Sequence, residues 1–158
     1  MLKNKYTFIG FLTIWSILLC ACSGNKEEIK IDKKNSLSTI FIQKVENNSS
    51  SEGMTKIVKD KKMVEKILSM VEGLKVKKSN SKYIFDEMKT QNTYSFGFFE
   101  NEKIQSGEKK VPYAFYVLND GIFVFTHNDV GSIKKTRITI DKHKNLFSKM
   151  KQLLEINF

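Results

Sequence analysis

The chain has 158 residues and a formal net charge of +10 at pH 7, with 27 basic and 17 acidic residues. Its basic side chains are lysines except for Arg137, whereas proteins that read nucleic acids favour the planar guanidinium group of arginine. The composition therefore argues against a nucleic-acid partner. It predicts a lysine-rich, solvated surface with some attraction to anionic lipid head groups or wall polymers.

The first 21 residues have the pattern of an export signal. Lys3 and Lys5 precede an uncharged run over residues 6–21, which matches the charged n-region and the apolar h-region of a signal peptide. The run is just short of the roughly 17 apolar residues that a membrane-spanning helix needs. An uncleaved N-terminal membrane anchor and a secreted protein without lipid are the alternatives.

The end of this run, Leu19-Cys20-Ala21-Cys22, resembles the lipobox of bacterial lipoprotein precursors. The resemblance implies cleavage between Ala21 and Cys22 and a diacylglyceryl group on Cys22. Because two acyl chains hold a protein stably on a bilayer, we expect lipid anchoring at the extracytoplasmic face of the cell membrane. Cys20 would leave with the signal and Cys22 would carry lipid, so the mature chain would have no thiol for disulfides, catalysis or metal binding.

The rest of the chain divides into a tether and one domain. Residues 22–37 are polar and charged, without a helical pattern, and predict a flexible tether. Residues 38–158 have the length of a single domain. Within this domain, β-branched and aromatic residues predict strands at 38–45 and 54–59, which pair as a hairpin around a Ser/Asn/Gly-rich loop.

A helix is predicted at 61–72, with Asp60 as its N-cap and Gly73 at its C-terminal end. Its apolar residues recur at helical spacing and share one face: Met63, Val64, Ile67, Leu68, Val71 and Leu74. The following segment, 75–91, has no dominant period. It is interpreted as a long connection with one helical turn at 85–89.

Three or four further strands are predicted, at 93–100, 113–118, 122–126 and 134–140. Asn119-Asp120-Gly121 is the strongest hairpin signal between them, and Gly97 indicates a bulge or a close approach of backbone. Asp141 is the predicted N-cap of a closing amphipathic helix. We therefore predict an α+β fold, in which a mostly antiparallel sheet of five to six strands packs two amphipathic helices on one face.

Aromatic residues are concentrated in these adjacent strands. Alternate residues of a strand point to opposite faces, so a sheet with helices on one face leaves some rings on the other. Exposed aromatic patches mark binding surfaces, and Tyr94, Tyr113 and Tyr116 are therefore candidates for a binding face. The alternative is that all the rings belong to the core or are covered by loops.

One pair of residues has the chemistry of a hydrolase. His127 and Asp129 lie two residues apart and could act as acid and base. No nucleophile motif and no metal-ligand spacing accompanies them, and residues 128–131 have the composition of an ordinary turn. We therefore expect no enzymatic activity, no cofactor and no metal.

Two segments are similar to the YhfM-like lipoproteins, a group of short surface lipoproteins of Bacillus-type Gram-positive bacteria. These are residues 57–62 leading into the helix at 63–74, and the run from Tyr113 through the Asp120-Gly121 turn to the final helix. The resemblance implies a location and an outline of the fold, without a reaction or catalytic residues. The expected function is non-enzymatic binding of an envelope protein or wall polymer, and the alternative is a surface inhibitor or immunity-type protein that inserts the segment 75–91.

Overall fold

A computed structural model describes residues 27–32, 34–100, 113–126 and 136–158 of the chain. Its strands are β1 (Glu27–Glu28), β2 (Thr39–Val45), β3 (Thr55–Val58), β4 (Lys75–Lys78), β5 (Thr93–Phe99), β6 (Tyr113–Leu118), β7 (Phe123–Phe125) and β8 (Arg137–Thr139). Its α-helices are α1 (Lys61–Val71), α2 (Ser81–Thr90) and α3 (Lys144–Leu153). Short 3-10 turns occur at Lys34–Ser36 and Glu52–Met54.

These strands form one sheet in the order β1-β4-β8-β7-β6-β5-β2-β3. Every neighbouring pair is antiparallel. The predicted α+β class with an antiparallel sheet is confirmed. The described sheet has eight strands rather than five to six, because β1 and β4 extend one edge, and a third helix is present.

The helices α1 and α3 pack on the same face of the sheet, which confirms the two amphipathic helices predicted there. The residues that they bury in the main core are Val64, Ile67, Leu68 and Val71 of α1 and Phe147 and Met150 of α3. The predicted N-cap of α1 is also confirmed, since Asp60 accepts a hydrogen bond of 3.1 Å from the backbone N–H of Met63. The core therefore forms where the helical period in the sequence is strongest.

The third helix, α2, packs on the opposite face of the sheet. Its Ile84 is buried and its Met88 is partly buried in a second, smaller core, which also contains Leu118, Val124 and Ile138. Asn80 caps the helix by accepting a hydrogen bond of 2.8 Å from the N–H of Lys82. The prediction of a long connection over 75–91 is wrong, since β4 and α2 lie in this segment, although the predicted helical turn at 85–89 falls within α2. Few apolar residues of α2 face the sheet, so the helical period in the sequence is weak.

Part of the predicted tether belongs to the folded domain. Ile29, Ile31 and Leu37 are buried in the same core as α1 and α3, and β1 pairs with β4. The N–H of Ile29 donates to the carbonyl of Leu74 at 3.0 Å, and the N–H of Gly73 donates to the carbonyl of Ile29 at 2.8 Å. Three apolar side chains in a charged segment are too few to give a sequence pattern, which explains why the segment resembles a tether.

Candidate functional site

The three tyrosines proposed from the sequence do not share one face of the sheet. Tyr113 and Tyr116 are three residues apart in β6 and therefore point to opposite faces. Tyr94 and Tyr113 lie on the face covered by α1 and α3, where Tyr94 is 4% exposed and packs edge-on against Phe147 with ring centroids 5.0 Å apart. Tyr116 is on the opposite face, packed beside α2. Tyr94 and Tyr113 are thus core residues, and only Tyr116 lies on the second face.

The hydroxyl groups of the two core tyrosines differ in their hydrogen bonding. Burial raises the pKa of both phenols. The Tyr94 hydroxyl donates a hydrogen bond of 3.2 Å to the carbonyl of Phe158. The Tyr113 hydroxyl is buried and has no hydrogen-bond partner among the described residues.

We expect removal of these two hydroxyls to have different effects on the free energy of unfolding. Tyr94→Phe loses a hydrogen bond and should lower the free energy of unfolding by about 0.5–1.5 kcal/mol. Tyr113→Phe removes a buried group that has no described partner, so the free energy of unfolding should stay the same or rise. Urea unfolding of the two variants measures both changes, and an equal loss in both would contradict this account.

A groove of about 340 Å³ runs along β5 on the face opposite α1 and α3. The helix α2 packs over β6, β7 and β8 on this face, and the described residues leave the neighbouring surface of β5 and β2 open. The groove is lined by Phe41, Gln43, Val45, Met88, Thr93, Ser95, Phe96, Gly97, Phe99, Ala114, Phe115 and Tyr116. Its volume is at the lower end of the range for small-ligand pockets.

The register of β2, β5 and β6 places two small residues, Gly97 and Ala114, side by side in the floor of this groove. Gly97 of β5 pairs with Phe41 of β2 on one side and with Ala114 of β6 on the other. The pairing is regular, so the bulge suggested by Gly97 is not present. Glycine and alanine fill little space beside Phe41, Tyr116 and Met88, and the depression therefore lies above the two small residues.

The polar groups of the groove are neutral and lie toward one end. Gln43, Ser95 and Tyr116 share one register row across β2, β5 and β6, and Thr93 lies two residues further along. The hydroxyl of Ser95 donates to the carbonyl of Gln43 at 3.3 Å. No described lining residue carries a charged side chain. Burial raises the pKa of Tyr116, so its phenol also stays neutral at physiological pH.

Exposed apolar side chains extend the surface around the groove. Ile57 is 55% exposed and pairs with Phe41, so it continues the apolar row to the edge strand β3. Phe85 of α2 is 46% exposed. At 3.6 residues per turn, Phe85 lies about 60° around the helix from Met88, whereas Tyr83 lies about 140° away. Phe85 is therefore on the groove side of α2 and Tyr83 on the far side.

The other residues singled out in the sequence are not part of this groove. Cys22, His127 and Asp129 lie outside the described residues. Asp120 has a structural role in the turn between β6 and β7, since it accepts a hydrogen bond from the N–H of Ile122 at 3.2 Å and pairs with Lys142 at 2.9 Å. Within the described ranges, no group of three or more His, Cys, Asp or Glu side chains could hold a metal ion.

Comparison of the chain with protein-family models, with curated proteins and with solved structures finds no match. The resemblance to the YhfM-like lipoproteins therefore stays a prediction. In the part of the chain that the structure describes, no helix has both the length and the apolar character needed to cross a membrane.

Proposed function

We propose that this protein is a non-enzymatic binding protein of the cell envelope, anchored through lipid on Cys22, which holds its ligand in the groove along β5. The supporting observation is the groove itself, an apolar concavity with a few neutral polar groups on a face that the described residues leave open. Ligand sites commonly have this composition. Contiguous exposed apolar surface, extended here by Ile57 and Phe85, is typical of interaction sites.

The proposed anchor rests on the lipobox-like residues 19–22 and on the apolar run before them. It places the domain at the extracytoplasmic face of the membrane, where an envelope component can reach the groove. We expect labelled fatty acid to be incorporated into the unmodified protein but not into Cys22→Ala, because the variant lacks the residue that would carry the two acyl chains. Mass spectrometry of the native N-terminus should find a diacylglyceryl group on Cys22, and an unmodified Cys22 or a retained Met1 would contradict the anchor.

Binding in the groove can be tested with Nile red, a neutral dye that fluoresces in apolar sites. We expect the chain from residue 22 onward, with Cys22→Ser, to bind the dye. The variant Ala114→Phe should weaken dye binding roughly ten-fold or more, a loss of about 1.4 kcal/mol, because a ring at position 114 can cover the neighbouring Gly97 and fill the floor. The chain from residue 22 onward lacks Trp15, the single tryptophan of the sequence, so the readout comes from the dye.

The matched control for this experiment is Tyr83→Ala. Tyr83 is 52% exposed but lies on the side of α2 away from the groove, and the substitution should leave dye binding unchanged. Equal dye binding by the Ala114→Phe variant and the unmodified protein would contradict the proposed site.

A second candidate function is a surface inhibitor or immunity-type protein. It is favoured by α2, which presents Tyr83 and Phe85, 52% and 46% exposed, since exposed aromatic residues often anchor protein interfaces. The inserting element would then be a helix held on the sheet rather than a flexible loop. Loss of protection against a surface-acting toxin in cells that carry Tyr83→Ala, with dye binding intact, would favour this function over ligand binding in the groove.

A further inference from the structure

Among the described residues, one polar group in the groove has no hydrogen-bond partner. Thr93 is 1% exposed and lines the groove, and its hydroxyl makes no hydrogen bond among the described residues. A buried hydroxyl without a partner costs free energy, and most such groups in proteins are paired. A ligand with a hydrogen-bonding group at this end of the groove would supply the missing partner.

The groove is elongated along the strand direction. The four residues of β5 that face it, Thr93, Ser95, Gly97 and Phe99, all line it. At roughly 3.4 Å per residue, the distance along the strand from Thr93 to Phe99 is about 20 Å. The polar side chains lie toward Thr93, and the end at Phe99 is apolar. The groove is thus amphipathic along its length.

The absence of charge among the described lining residues restricts the chemistry of the ligand. A carboxylate or ammonium group moved from water into this groove would lose hydration without gaining a charged partner. An extended polypeptide is also a poor match, because each residue brings one N–H and one C=O that need partners. Few side chains that line the groove can provide them: Gln43, Thr93, Ser95 and Tyr116.

We propose that the groove binds an uncharged amphiphile with a single alkyl chain, whose hydroxyl or amide head bonds to the hydroxyl of Thr93. The alkyl chain lies over Gly97 and Ala114 and ends beside Phe99. This inference rests on the proposed binding function and adds the chemical class of the ligand. A membrane-tethered protein would meet such molecules in the bilayer that carries it.

The experiment compares two probes that share a twelve-carbon acyl chain, 1-monolauroylglycerol and laurate, at pH 8 and below their critical micelle concentrations. The protein is the chain from residue 22 onward with Cys22→Ser, which contains every described element of the fold. Calorimetric titration should find binding of monolauroylglycerol at least about ten-fold tighter than binding of laurate, because the carboxylate has no charged partner among the described lining residues. A neutral hexapeptide of valine and phenylalanine should bind more weakly than monolauroylglycerol.

Two substitutions at one position isolate the head-group contact. Thr93→Val removes the hydroxyl and should weaken monolauroylglycerol binding about two- to ten-fold, the effect of one hydrogen bond. Thr93→Ser keeps a hydroxyl and should retain binding. Nile red needs no head-group contact, so its binding should be the same in both variants, and the free energy of unfolding should not fall in Thr93→Val.

The outcomes separate this inference from the proposed function. If Nile red binds but laurate or the hexapeptide binds as tightly as monolauroylglycerol, the ligand class is wrong and the groove is still a binding site. Equal monolauroylglycerol binding by Thr93→Val and the unmodified protein would overturn the head-group contact. If neither Nile red nor monolauroylglycerol binds, the proposed function and this inference both fail.

Discussion

Phe115→Ala should lower the free energy of unfolding by about 3–5 kcal/mol, the usual cost of removing a buried phenylalanine ring. Phe115 is fully buried at the centre of the sheet. Its ring centroid lies 5.1 Å from that of Phe96, 5.5 Å from Phe98, and 5.8 and 5.7 Å from Phe123 and Phe125. These neighbours come from the two flanking strands, β5 and β7, and cannot all move inward, so a cavity would remain.

Chemical unfolding with guanidinium chloride measures this loss. The control is Phe85→Ala, which removes the same ring from a site that is 46% exposed and should change the free energy of unfolding by only about 0.5 kcal/mol. A cost below about 1 kcal/mol for Phe115→Ala would mean that the aromatic cluster does not form the core described here.

Gly121→Ala should be the second strongly destabilising substitution, with a cost of about 3 kcal/mol or more. Gly121 has a φ of +89°, and an added Cβ would lie 2.5 Å from the backbone nitrogen of Lys144 and 2.9 Å from the carbonyl carbon of His143. The carbonyl of Gly121 also accepts a hydrogen bond of 2.8 Å from the N–H of His143. The first turn of α3 would therefore have to move away from the hairpin between β6 and β7.

Gly73→Ala is the matched control for this prediction. Gly73 also has a positive φ, +81°, but an added Cβ would meet no atom within 4 Å. Only the backbone strain of about 1–2 kcal/mol remains at this position. Thermal and urea unfolding should therefore find Gly121→Ala clearly less stable than Gly73→Ala, and equal losses would show that contact with α3 has no part in the effect.

The sequence predicts the elements in which apolar side chains recur at the spacing of a helix or a strand. The apolar period of α1 and α3 and the alternation in β2, β5 and β6 are visible in the residues themselves, because each element buries a whole face. The strand β4 buries only Val76, and among the residues of α2 only Ile84 is buried. Elements with a single buried side chain leave no periodic pattern, so the sequence predicts neither β4 nor the full length of α2.

The groove depends on information that a single sequence does not contain. Alternation within β6 already separates Tyr113 from Tyr116, and the proposed three-residue face conflicts with it. The floor requires Gly97 to pair with Ala114, and this pairing follows from the register between two strands that are distant in the chain. The sequence shows Gly97 and Ala114 among aromatic residues, but it does not show that these two residues lie side by side in the sheet.

Methionine methyl NMR can determine whether ligands bind on the sheet face beside α2. Met88 lines the groove, whereas Met63, Met70 and Met150 pack with the core on the other face. In the chain from residue 22 onward, with Cys22→Ser and ¹³C-labelled methionine methyl groups, titration with monolauroylglycerol should shift the Met88 signal and leave the three core signals in place. A shift of the core methionines with Met88 unchanged, or no shift at all at saturating probe, would contradict the account.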